Sequence, residues 1–137
     1  MFNRNTVPVK ISMNIDASQS SKFGFSFGAG GDMSEVYSVT FDLTSANHWS
    51  SPSLFLYKET NYSTGSFSNE INFTPLIVPD NKIFQIKIII ENSICVLYVN
   101  DNVAFTNRIY KMNQNPWTIF VDNGYINISE FTINKIS

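Results

Sequence analysis

This sequence has little of what catalysis, nucleic-acid binding and membrane insertion require. Its 137 residues contain a single cysteine, Cys95, and a single histidine, His48. One cysteine excludes an intrachain disulfide, and one of each cannot supply the clustered ligands of a zinc site. A Ser or Cys nucleophile needs a base held beside it, usually His. His48 sits next to Trp49 in a predicted loop, where it reads as a solvated or sugar-contacting residue. Charge is sparse, with nine Lys plus Arg against eleven Asp plus Glu. The cations are scattered singly, so the basic stripe that gives nucleic-acid binders most of their affinity is missing. No nucleic-acid partner is expected. No apolar run approaches the roughly 18 residues that cross a bilayer, and no membrane partner is expected either. No hydrophobic signal segment follows Met1-Phe-Asn-Arg-Asn5. Ala is scarce and no segment holds a helical apolar stripe over several turns, so almost no helix is predicted.

What is present is sheet chemistry. Twelve Phe, six Tyr and two Trp join abundant Ile, Val and Thr, a composition suited to a pleated surface. Val9, Ile11, Met13 and Ile15 alternate with Lys10, Ser12, Asn14 and Asp16, which predicts a half-buried strand. Phe23, Phe25 and Phe27 repeat the pattern and run into Gly28-Ala29-Gly30-Gly31; Tyr37, Val39, Phe41 and Leu43 form the inward row of a third strand. A loop from Thr44 to Pro52 follows, then a short strand Leu54 to Tyr57 and a long polar loop Lys58 to Asn69. Ile71 to Leu76, Lys82 to Ile90, Ile94 to Val99 and Val103 to Arg108 read as successive strands. The middle pair is apolar on both faces and is expected to be covered on both. Asn100-Asp101-Asn102 supplies a turn whose residues tolerate left-handed dihedrals. Trp117 to Asp122 is predicted to meet Tyr125 in a hairpin through Asn123-Gly124. The apolar register then shifts from Ile126 and Ile128 to Phe131 and Ile133, which predicts a bulge near Ser129-Glu130. About ten short antiparallel strands at this spacing indicate an all-β fold. The architecture expected is a two-sheet antiparallel β-sandwich, a concanavalin or lectin-like jelly roll, with residues 1–137 as a single domain; a closed barrel is the alternative.

Candidate chemistry is thin. Cys95, mid-strand between Ile94 and Val96, reads as a small buried hydrophobe. No Lys-Ser/Thr pair and no helix start follow Gly28, Gly30 and Gly31, so they read as a turn rather than a phosphate loop. The carboxylates Asp32, Glu35, Glu59, Glu70, Asp80, Glu91, Asp101, Asp122 and Glu130 fall mostly in or beside turns, and their spacing pairs no two for glycoside hydrolysis. Aromatics in loops carry more information. Sugar rings present apolar C–H faces that pack on Trp or Tyr, while their hydroxyls bond Asp, Glu, Asn and Arg. Trp49, Tyr57 and Tyr62 lie in or beside the two longest loops of the first half, and Arg108, Tyr110 and Trp117 surround the loop Lys111 to Pro116. Each has a plain packing or solvated-end reading beside the functional one.

The stretch from about Phe84 to Ile136 resembles the C-terminal β-sandwich module of glycoside hydrolase family 32, the invertase, levanase and fructanase enzymes. The family pattern is Ser-x-x-Glu-x-Phe-x-Asn-Asp-Gly on a strand, then Thr-x-Arg-Ile-Tyr/Phe, then a closing hairpin. Ser93, Tyr98, Asn100 and Asp101 match in register, Thr106, Arg108, Ile109 and Tyr110 follow, and Trp117 and Gly124 stand where the closing segment requires them. Phe23-Gly24-Phe25 and Gly65-Ser66-Phe67 resemble the module's early Phe-Gly strand and Ser-Gly loop. Departures are Val96 for the family Glu, Asn102 for the Gly, and Lys58-Glu59 where an Asp-Arg pair is usual.

The resemblance implies a module without catalysis of its own, since the family's active-site motifs Asn-Asp-Pro, Arg-Asp-Pro and Glu-Cys lie in a separate propeller and are missing here. Related modules, grouped as family-66 carbohydrate-binding modules, bind terminal fructose of levan. A fructan polysaccharide or terminal fructose is therefore the implied ligand and a catalytic glycoside hydrolase domain the implied neighbour; no cofactor or metal is implied. Location follows the parent enzyme and is extracellular where that enzyme is secreted. Loop placement and side-chain chemistry nominate Trp49, Glu35, Glu59, Arg108 and Trp117 as the ligand-binding set. The alternatives are a structural sandwich that supports a catalytic propeller or mediates dimerisation without binding sugar, and a general lectin-like sandwich.

Overall fold

The computed structural model describes residues 8–29, 35–62, 65–109 and 117–136. The expected turn at Gly30 and Gly31, Asp32, Tyr110 and the loop 111–116 lie outside the described residues, as does the Tyr62 side chain. Ten strands follow one another: β1 (Val9–Gln19), β2 (Lys22–Ala29), β3 (Glu35–Asp42), β4 (Ser53–Tyr62), β5 (Gly65–Pro75), β6 (Ile83–Glu91), β7 (Ile94–Val99), β8 (Val103–Arg108), β9 (Trp117–Val121) and β10 (Tyr125–Lys135). They form two antiparallel sheets of five, ordered β10-β1-β6-β7-β8 and β5-β4-β3-β2-β9. The fold is the two-sheet sandwich that the alternating pattern requires, and not a closed barrel.

The alternation decides what the sheets bury. Ile11, Met13, Ile15 and Ala17 of β1 face Phe23, Phe25 and Phe27 of β2 across the core, all at most 2% exposed. Phe23 stacks on Phe41 with ring centroids 4.6 Å apart, and both lie within 6.0 Å of Phe84 from the other sheet. A fully buried Phe contributes about 1.5–3 kcal/mol of transfer free energy, so this cluster is the energetic centre of the sandwich. The turn between β7 and β8 places Asn100 and Asp101 at φ of 52° and 58°, as expected of residues that tolerate the left-handed region. The bulge in β10 is also present. Ser12 pairs with Thr132 but Asn14 with Ser129, which leaves one extra residue on β10, and Glu130 takes a φ of 53°.

Three expectations are corrected. Lys58 to Asn69 is not a long loop: β4 continues to Tyr62 and pairs with β5 from Gly65 onward, Thr60 against Phe67 and Glu59 against Ser68. Glu59 and Ser68 there are exposed, which a sheet tolerates on its solvated face. Secondly, β6 and β7 are buried on one face only; Ile94 and Tyr98 on the outer face are 38% and 37% exposed. Finally, Asn123-Gly124 does not close a hairpin. β9 pairs with β2 while β10 pairs with β1, so the dipeptide carries the chain from one sheet to the other. Beside it, Ser20 and Ser21 carry the chain from β1 to β2 in the same way. The two corners are fastened together, because Asn123 Oδ1 accepts from the Ser20 hydroxyl (3.1 Å) and the Ser21 backbone N–H (3.0 Å), while its amide donates to Ser21 Oγ.

Candidate functional site

The chain leaves β3 at Asp42 and re-enters the sheet at Ser53, and two polar side chains fix the loop between. Asp42 is buried; Oδ1 accepts from the Thr44 backbone N–H (3.0 Å) and hydroxyl (2.7 Å), and Oδ2 from the Asn47 amide (3.3 Å). The Asn47 amide also donates to the Ser51 carbonyl (2.8 Å), and Asn47 Oδ1 accepts from the Trp49 backbone N–H (2.9 Å). Short Asn and Asp side chains that bond nearby backbone replace the missing strand ladder and hold a turn in one shape. This shape lays His48 and Trp49 on the outer face of the second sheet.

A bulge prepares that face. β5 pairs Asn72 with Leu56 but Glu70 with Tyr57, so Ile71 is an extra residue. Residues three apart on a regular strand point to opposite faces. The bulge puts Glu70 and Phe73 on the same one. Trp49 stacks on Phe73, centroids 3.9 Å and planes 16° apart. Its Nε1 donates to Glu70 Oε2 over 3.4 Å, a long bond, and His48 Nε2 lies 3.3 Å from Glu70 Oε1. Beneath them Phe55 is 1% exposed and stacks on Tyr57 at 5.6 Å. Burial, then the negative charges of Glu70 and Asp42, push the Tyr57 phenol above its ordinary range. The outcome is an indole backed by a phenyl ring on one side, 44% exposed, and rimmed by a carboxylate and an imidazole. Such a surface offers an apolar plate together with hydrogen-bonding groups at its edge.

The sequence-nominated residues do not all meet here. Trp49 is at the centre, and Glu59 lies on the same outer face, two residues beyond Tyr57 on β4. Glu35 starts β3 in the inward row and bonds Lys58 Nζ at 3.0 Å, and the Lys58 ammonium lies 5.8 Å from the Tyr37 ring centroid. The Glu35 hydrogen bond is the first cause that raises the Lys58 pKa. Arg108 ends β8 on the outer face of the first sheet, where its Nη1 donates to Ser93 Oγ (3.0 Å), so it belongs to the opposite side of the sandwich. Trp117 packs between the sheets, with centroids 6.5 Å from Phe25 and Phe27 and 6.3 Å from Phe131. The structure does not bring Glu35, Arg108 and Trp117 to the Trp49 face, because sheet parity and sheet membership separate them. Glu70, Phe73 and Asn47 were missed. The Asp42-x-Thr44 and Asn47-x-Trp49 spacings are legible as side-chain-held turns, whereas nothing local in the sequence announces the Ile71 bulge. Among the described residues no group of His, Cys, Asp and Glu is placed to hold a metal ion.

Two five-stranded antiparallel sheets with an aromatic–carboxylate cluster on one outer face define a lectin-like β-sandwich. Solved structures share the fold. The carbohydrate-binding module CBM66 from Bacillus subtilis superposes with a TM-score of 0.61 at 12% identity, over 93% of this chain and 74% of that one. Galectin LEC-6 of Caenorhabditis elegans gives 0.60 at 11% identity, over 97% and 86%. Congerin II with lactose and MES bound gives 0.58 at 10%, over 95% and 96%. A search of curated protein sequences finds no match. Residues 1–133 match the family model described as GH32, BT1760-like, C-terminal domain, and the chain belongs to that family.

Proposed function

We propose that this domain is a non-catalytic carbohydrate-binding module that recognises fructan, as levan or terminal fructose, for an associated family-32 glycoside hydrolase. The observation that carries the reading is Trp49, laid on Phe73 with its indole N–H on Glu70 and His48 beside it. A sugar ring stacks its C–H face on the free side of the indole and gives hydroxyl hydrogen bonds to Glu70. Glu59, further along the same face, extends the polar rim. Membership of a family of GH32 C-terminal domains supports an accessory role. The fold shared with CBM66 and with lactose-bound congerin II supports sugar as the ligand class, and the family-32 resemblance of the last third supports fructan. The module's contribution is to raise the local concentration of enzyme at its polymer.

Isothermal calorimetry against levan, with inulin and a non-fructan polymer as controls, tests this reading. Binding heat with levan is expected, and Trp49→Ala should weaken it at least about tenfold, or about 1.4 kcal/mol. Arg108→Ala, on the other sheet, should leave it unchanged. Silence with every fructan at millimolar sites would overturn the function, and loss in Arg108→Ala alone would move the site.

A further inference from the structure

We infer that the sugar site extends from Trp49 across all five strands of the second sheet. It takes an internal run of several units of a neutral polysaccharide rather than a chain end. This rests on the sugar-binding reading above. The register places two neighbouring rows on that outer face, each with one residue from every strand. The first, from β9 to β5, is Thr118, Ser26, Ser38, Tyr57 and Glu70. The second is Phe120, Gly24, Thr40, Phe55 and Phe73. Adjacent strands stand about 4.7–4.9 Å apart, so each row spans about 19 Å. Both rows end at edge strands, β9 and β5, beyond which the sheet no longer constrains a bound chain.

The two rows differ in chemistry. In the second, a Cβ on Gly24 would lie 2.9 Å from Phe120 Cζ, so the Phe120 ring closes over the glycine. Phe55 and Phe73, with centroids 6.5 Å apart, continue this apolar bank, and Trp49 caps it on Phe73. The first row is a shelf of hydroxyls. Buried Ser38 shares a 3.1 Å hydrogen bond with the Ser26 hydroxyl. Ser26 and Tyr57 are half-buried, and Thr118 and Glu70 are exposed. A hydroxyl both donates and accepts, which suits a polyol. Glu70 is the only charge in either row, so an acidic polymer would meet a carboxylate and no cation there. A sugar chain carries C–H faces for the apolar bank and hydroxyls for the shelf beside it.

Calorimetry of the whole chain with levan-derived di-, tetra- and octasaccharides tests the extension. Affinity is expected to rise at least about tenfold from the disaccharide to the octasaccharide. Thr118→Ala removes the hydroxyl at the end of the shelf farthest from Trp49. It should cut the octasaccharide-to-disaccharide affinity ratio at least about threefold, the scale of one lost hydrogen bond. Ser26→Leu, which sets an apolar branch in the middle of the shelf, should cut the ratio further. Unchanged circular dichroism in both variants excludes misfolding as the cause. Short and long ligands of equal affinity, both lost in Trp49→Ala, would overturn the extension and leave sugar binding standing. Affinity that grows with length yet ignores both shelf variants would overturn it too. Silence at every length would overturn the sugar-binding reading, and the extension with it.

Discussion

Cys95 faces inward from β7, 2% exposed, and burial pushes its thiol up to about 12 from an ordinary 9.0. The unfolded chain loses this proton near pH 9 while the folded chain keeps it. Stability from Cys95 is therefore complete below pH 9 and falls as pH rises towards 12, by up to about 1.4 kcal/mol per pH unit. Urea unfolding of wild type and Cys95→Ala at pH 8 and pH 10.5 checks this. The cavity left by the substitution lowers stability at both values, and the gap between the two proteins should narrow at the higher one. A constant gap would refute the shift. Cys95 was legible in the sequence, because a small apolar residue between Ile94 and Val96 in an alternating strand has one natural place. Arg108 and Trp117 were not. Their side chains suit sugar contact, but whether such a residue faces a site is decided by which sheet its strand joins.

At the scale of elements, the loop from Asp42 to Ser53 is the part on which the Trp49 face depends. Asn47 supplies its central bonds, to Asp42, Ser51 and the Trp49 backbone. Asn47→Ala should cost about 1–2 kcal/mol of stability, the scale of lost part-buried hydrogen bonds. It should also weaken levan binding at least about tenfold even though no ligand-facing group is removed. Calorimetry and urea unfolding on the same variant separate the two effects, and unchanged affinity would show that Trp49 keeps its place without the loop. The strands around it were partly legible. β2 and β3 announce themselves by alternating Phe, Tyr and Val, and the β10 bulge by its shifted apolar row. The β4–β5 hairpin hid behind polar residues at its far end. The Ile71 bulge leaves no trace in composition, yet it decides that Glu70 and Phe73 share a face.

For the whole molecule, the corner at Asn123-Gly124 governs how the two sheets hold together. Gly124 has a φ of 70°, and a Cβ there would sit 1.8 Å from the Gln19 carbonyl oxygen. Gly124→Ala therefore combines backbone strain with a collision against the neighbouring corner, and should cost at least about 3 kcal/mol. A lowered urea midpoint at pH 7 measures it; a midpoint within error of wild type would mean the corners separate without cost. The same dipeptide shows why the sandwich was legible and its threading was not. Asn-Gly specifies a tight reversal, but a reversal joins two strands of one sheet or two strands of facing sheets with equal ease. Long-range pairing, β9 on β2 and β10 on β1, makes the choice.

That threading also has a mechanical consequence. Val9 pairs with Lys135, and the Pro8 carbonyl accepts from the Ile136 N–H at 2.8 Å, so the first and last strands meet at one end of one sheet. Tension applied between these two positions loads the β1–β10 ladder one rung at a time, as a zip is opened, rather than shearing all its rungs together. β10 is also exposed along nearly its whole length. A pull through both ends would peel it away at low force while the remaining strands kept their shared core, and with it the Trp49 face on the far sheet.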